Sequence, residues 1–348
     1  MKNLREVRHG LALQEAMIGL VVSAVLLACC MVAASSTRLA SQRQTDVLNL
    51  GYRGSLAAAY SGDKQGQMPS FTWSVGNTPS DYADLRNAAS NRQARGNQFI
   101  DIMRRRSFLG ESLLAISSWV PDIDYSHVPL MDHAGLDIPD PRFTPAGSGP
   151  WAVIARDPSA FFESDTWPTP FGASWTFANN NKRYMAATWF RRPMATLPFV
   201  ESGRDAPVVR STSDFVSIGA SNEAPPRRFD EVAFSSRKVY VAGEFDYYSD
   251  SSRQVFHLHT FARAPYLMAD GSVQVRRGGE ANLAWDPTRA TSTRGVRFQY
   301  APPFELALPP TVSGAQSESF DARMLYTRGG LSGIDFDGPA IDTGQIRP

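Results

Sequence analysis

Cysteine is almost missing from this chain. Its two residues, Cys29 and Cys30, sit side by side in an apolar run, so the remainder can form no disulfide and no thiolate metal site. A domain of this size has enough interior to stand on its core alone. Lysine is scarce as well: of 35 Lys and Arg, only Lys2, Lys64, Lys182 and Lys238 are lysine. The arginines are scattered and the net charge is +1, which excludes a bulk electrostatic case for nucleic acid or an acidic surface. No proline occurs before Pro69. GxSxG, P-loop, Rossmann and HExxH patterns are all absent, so no familiar catalytic scaffold is signalled.

What is present begins at the N-terminus. A basic head (Lys2, Arg5, Arg8) ends in Gly10, and an apolar run follows with one carboxylate, Glu15, near its start. Ala16 to Ala34 are nineteen residues without a charge. At about 1.5 Å per residue, that is just enough helix to cross a bilayer. The basic residues lie before the run, which predicts a cytoplasmic N-terminus and export of the bulk. An acid inside such a run costs on the order of a few kcal/mol unless it is paired. Cleavage after Gly10 would create a cationic amine on Leu11, four residues and one helical turn before Glu15. In an array of such helices, the carboxylate of one chain neutralises the amine of its neighbour.

Basic leader, Gly, apolar residue and Glu at the fifth mature position resemble the N-terminal signature of type IV prepilins and type II secretion pseudopilins. The resemblance implies cleavage by a prepilin peptidase after Gly10, methylation of the new first residue Leu11, and an assembly role for Glu15. It implies a non-enzymatic subunit of a type II secretion pseudopilus or type IV pilus-like filament, a minor one given the large head. Its partners would be the prepilin peptidase, other pilin or pseudopilin subunits and an inner-membrane assembly platform, with no nucleic acid. The chain would pass once through the inner membrane, head on the periplasmic side, before entering the filament. Two features depart from the usual pattern. Leu stands where Phe is common, and the mid-helix Pro is absent, which predicts a straighter helix. Two other readings fit the same stretch: a cleaved signal peptide, or a lipoprotein signal with Leu26-Leu27-Ala28-Cys29 as lipobox. Either would give a membrane-tethered, lipid-anchored or exported enzyme or binding protein.

Beyond Ala34 the helical spacing of Leu39, Val47, Leu50, Leu56 and Ala57 continues the helix to about Tyr60, a rod of about 75 Å counted from Leu11. A Gly/Ser/Pro-rich loop precedes a second helix expected over residues 82–106. Its terminal Arg104-Arg105-Arg106 reads as complementing the helix dipole, or as an acid-binding patch. A short apolar stretch, Leu113–Val120, follows. Residues 121–235 hold Trp151, Phe161, Phe162, Trp167, Trp175 and Trp189, expected in the core of a loop-rich β region, with a sugar groove as the other reading. KVYVAGEF, QVFHLHTF and YLMA-DG-SVQV within residues 238–275 read as strands, the last pair joined by a two-residue Asp270-Gly271 turn, and residues 296–300 as another. His259 followed by Asp270-Gly271 is similar to a C-terminal element of pseudopilin-like proteins of planctomycetes, with the spacing one residue longer than usual.

The expected fold is thus an α+β pilin-like lollipop, a long N-terminal helix packed on an antiparallel sheet. The expected parts are a leader (residues 1–10), a helix (11–60, with 11–34 in the membrane), a head (61–307) and an extended, partly mobile C-terminal segment (308–348). His127, His133, His257 and His259 are the head's histidines, and a metal site among them lacks paired spacing. Asp335, Asp337 and Asp342 supply hard oxygens for calcium, or form a solvated acidic turn. Otherwise no cofactor is expected.

Overall fold

The computed structural model describes residues 3–107, 110–115, 127–147, 208–209, 216–217, 227–243, 245–246, 248, 255–256, 260–283, 297–300, 318–321, 323–324 and 327–340. It is a mixed α+β structure. Helix α1 (Asn3–Asp63) runs without interruption through 61 residues, none of them proline. The chain divides into two compact units, Met1–Gln44 and Thr45–Pro348.

In the first unit, α1 leaves large apolar side chains in the open, among them Leu20, Val21, Val25 and Met31. This helix is long and apolar enough to cross a membrane. A signal sequence near the N-terminus meets the same criterion of length and composition.

The second unit starts inside α1, earlier than the expected head boundary at residue 61. Here the helix turns Asp46, Leu50, Arg53, Ala57 and Tyr60 inward, a stripe at steps of three and four residues. It ends at Asp63, where Gln65 and Gly66 adopt positive φ and Gly66 N–H donates to Ser61 O. Helix α2 (Asn91–Arg106) starts nine residues later than expected. Ser90 caps it by accepting from Gln93 N–H at 3.2 Å, while the preceding stretch makes only a 3-10 turn at Ala83–Leu85. Phe99, Ile100 and Met103 of α2 join Leu50, Ala57 and Tyr60 of α1 in one core. Val128, Leu130 and Met131 of α3 (His127–His133) enter the same core.

Strand pairs β1 (Val208–Val209) with β2 (Val216–Ser217), β4 (Phe245–Asp246) with β5 (Val255–Phe256), and β8 (Arg297–Tyr300) with β9 (Glu318–Asp321) are each two-stranded and antiparallel. The main sheet is antiparallel in the order β3 (Val239–Ala242), β6 (Arg263–Met268), β7 (Val273–Arg277). Central β6 is buried from Ala264 to Met268, whereas β7 is half-buried. The β6–β7 connection differs from the expected two-residue turn. Met268 N–H donates to Ser272 O and Gly271 N–H to Met268 O, so Ala269, Asp270 and Gly271 form a three-residue loop. Only Gly271, at φ 86°, takes the left-handed conformation. Asp270 instead accepts from Ser272 N–H at 2.9 Å, so its carboxylate rather than its backbone closes the loop.

The described residues of the C-terminal segment, expected to be extended from residue 308 onward, are instead paired or packed. Glu318–Asp321 pairs as β9, and residues 327–340 fold against the sheet, with Leu331, Ile334, Asp335 and Phe336 buried. Asp335 and Phe336 N–H both donate to Arg237 O, and Asn282 N–H donates to Asp335 O. Gly329 and Gly330, both at positive φ, set a turn of this packed loop.

Candidate processing segment and head anchorage

Gly10, Leu11 and Glu15 fall within α1, so one helical turn separates Leu11 from Glu15 along the backbone. Their side chains lie outside the described residues. Cys29 and Cys30 are free thiols on exposed positions of the same helix.

In the second unit, α1 carries two charged residues on its inward stripe, and sequence periodicity alone passes over both. Asp46 is 1% exposed and accepts from Ala146 N–H at 2.6 Å and from the Tyr248 hydroxyl. Gly147 N–H in turn donates to the Tyr248 hydroxyl at 3.2 Å. Burial pushes the Asp46 carboxyl up to about 6, and its two donors offset only part of that rise. Arg53, also 1% exposed, places its guanidinium 5.5 Å from the Phe143 ring centre. Arg142 stacks over Tyr52 at 4.4 Å while forking onto Asp140. One signal for the missed pair was available: 46, 50, 53, 57 and 60 keep helical spacing although two of the five are charged.

A cleft of about 270 Å³ lies between α1 and the β6–β7 loop. Small residues of α1 (Gly54, Ala57, Ala58, Ser61) form one wall, with Tyr240 and Leu267 opposite. A side chain at Gly54 would meet Leu267 Cδ1 at 2.9 Å, so glycine lets this wall approach the helix.

The arginine cluster is neither a simple dipole complement nor an open acid-binding patch. Arg104 forks onto Asp84 at 2.8 Å and donates to Leu113 O. Arg105 forks onto Asp132 at 2.8 and 2.9 Å and also reaches Asp101, and Arg106 donates to Asp132 at 2.8 Å. Burial pushes the Asp132 carboxyl up, but Arg105 and Arg106 together hold it below the usual carboxylate range. These contacts tie α2 to α3.

The two described histidines of the head, His127 and His133, stand in separate surroundings. His127 is buried beside Phe143, with ring centres 6.3 Å apart. His133 faces Asp63 at 3.2 Å and the edge of Tyr60 at 5.1 Å. His257 and His259 lie outside the described residues, as do Asp342, residues 116–120 and the aromatic stretch from Trp151 to Trp189. Among the described residues, no group of three or more His, Cys, Asp or Glu is placed to hold a metal. Asp335 departs from the solvated acidic turn, whereas Asp337 is exposed as that reading expects. Asp335 is fully buried against Lys238, Val239 N–H and Thr327, while Asp337 takes both arms of Arg276, which holds its carboxyl low.

No protein-family model, curated protein or solved structure matches the chain.

Proposed function

We propose that the chain is a prepilin-like subunit: cut between Gly10 and Leu11 by a prepilin peptidase, methylated on Leu11, and assembled into a pseudopilus or pilus-like filament through Glu15. The single observation that carries this reading is the register of Gly10, Leu11 and Glu15 at the head of the apolar helix. The continuation of α1 from the apolar segment to Asp63 is in keeping with it. The subunit is non-enzymatic and, with its large head, a minor component. It waits in the inner membrane, head outward, for other subunits and the assembly platform.

Mass spectrometry of the mature N-terminal peptide tests this reading. The expected peptide begins at a methylated Leu11. A chain that begins at a lipid-bearing Cys29, or near Ser35, overturns it in favour of a lipid-anchored or exported protein.

A further inference from the structure

Lys238 and Asp335 stand out in a chain that uses arginine for nearly all its positive charge. Both side chains are fully buried, and Lys238 Nζ lies 3.4 Å from Asp335 Oδ1. The other deeply buried cations among the described residues, Arg53 and Arg104, are arginines. Guanidinium is the better partner for a buried carboxylate, because it forks onto both oxygens and tolerates desolvation. A primary amine has one property that guanidinium lacks. Once desolvated it gives up its proton readily and becomes a nucleophile.

The surroundings fix the two groups for that reaction. Asp335 is clamped on both sides of its backbone: its N–H donates to Arg237 O at 3.0 Å, and its carbonyl accepts from Asn282 N–H at 2.8 Å. Lys238 is held by its own carbonyl, which accepts from Ala269 N–H at 2.9 Å. Val239 and Phe336, the chain neighbours of the pair, and Met268, in register with Val239, are fully buried and keep the pair dry. The two carboxyl oxygens are differentiated. Oδ2 accepts from Val239 N–H at 2.8 Å, whereas Oδ1 accepts from the Thr327 hydroxyl and faces Nζ.

We propose that Lys238 and Asp335 condense into an intramolecular isopeptide bond. The reaction opens with transfer of one proton from the ammonium to the carboxylate, inside a pair shielded from water. The Nζ lone pair attacks Cγ, and negative charge grows on Oδ2, where Val239 N–H already points. Oδ1 leaves as water with the transferred proton and a second one from Nζ. The product is a secondary amide: one C–N bond is made, one C–O bond is broken, water is released and no oxidant is needed. The clamped backbones supply the proximity that lets an amine and a carboxylic acid react without activation. The bond joins positions 97 residues apart and fastens the C-terminal loop to β3 in a head that has no cysteine to do so.

The test is mass spectrometry of the full-length chain, denatured and digested with trypsin. The expected result is a joined species of residues 238–253 and 329–348, lighter by one water than the two peptides together, and no cleavage after Lys238. Lys238→Arg is expected to abolish the joined species and restore a linear 329–348 peptide. If the wild-type digest contains only linear peptides, with cleavage after Lys238, the pair is an ordinary ion pair and the proposal fails. The wild-type digest decides this even if the variant does not fold.

Discussion

Asp46 on α1 is hydrogen-bonded by the Tyr248 hydroxyl, 202 residues further along the chain. The contact ties the helix to the β4 region through a carboxyl whose burial raises it from 3.8 to about 6. A carboxyl raised on folding favours the protonated folded state. Its contribution is therefore fully present below about pH 4 and is lost as pH rises through about 6. The shift corresponds to on the order of 3 kcal/mol across that window. Asp46→Asn removes the titration while keeping an acceptor for Ala146 N–H. Chemical denaturation from pH 4 to 7 is expected to show the wild type losing stability relative to the variant as pH rises. Parallel curves would show that Asp46 does not titrate in this window.

Asp132 has the opposite sign. Arg105 and Arg106 hold its carboxyl below the ordinary range. Its contribution is therefore present above about pH 4 and lost as pH falls through the lowered folded value. Asp132→Ala leaves half-buried Arg106 and exposed Arg105 without this carboxylate, Arg105 keeping Asp101, and is expected to cost about 1 kcal/mol at neutral pH. The cost should fade in strong acid. Measuring it in an Asp46→Asn background keeps the two titrations apart.

Both carboxylates mark the limits of reading this sequence. The long helix was legible because its apolar residues repeat at steps of three to four, and the strands around residues 239–277 because they are short runs rich in Val, Tyr and Phe beside an Asp-Gly turn. Asp46 and Arg53 were not, because a periodicity built on apolar residues skips a charge even when the spacing is kept. The start of α2 was misplaced because Tyr82 and Leu85 look helical, whereas Ser90 supplies the cap. Asp335 looked like part of a solvated turn because its partner, Lys238, stands 97 positions away. The motif of Gly10, Leu11 and Glu15 was readable at once, since the processing site we propose there is a local string rather than a folded contact.

Two glycines separate backbone freedom from close approach. An added side chain at Gly51, inside α1, meets nothing within 4 Å. Gly51→Ala is expected to stabilise the head by about 0.5–1 kcal/mol through helix propensity. At Gly333 the same methyl would stand 2.0 Å from Arg328 O. Gly333→Ala must displace backbone in the packed C-terminal loop and is expected to cost at least about 2 kcal/mol. Thermal melts of the two variants should move in opposite directions.

The assembly role proposed for Glu15 leads to a separation of steps. Removing a charge from an apolar helix makes insertion easier, so Glu15→Ala should enter the membrane as well as the wild type. It should also be cut, because the peptidase site lies at Gly10 and Leu11, before the substitution. Incorporation into filaments should fail. The amine of Leu11 would then enter an apolar helix array without its counter-ion, a penalty of roughly several kcal/mol for each unpaired charge. Glu15→Gln keeps the shape and removes the charge, and on this account it behaves like Glu15→Ala. The measurement is the amount of each variant in sheared or crosslinked filaments, taken from cells with matched levels of processed subunit. If both variants incorporate as the wild type does, the carboxylate has no part in assembly, whatever happens at Gly10. If Glu15→Gln alone incorporates, shape rather than charge holds the contact, and the pairing of Glu15 with a neighbour's Leu11 amine is excluded.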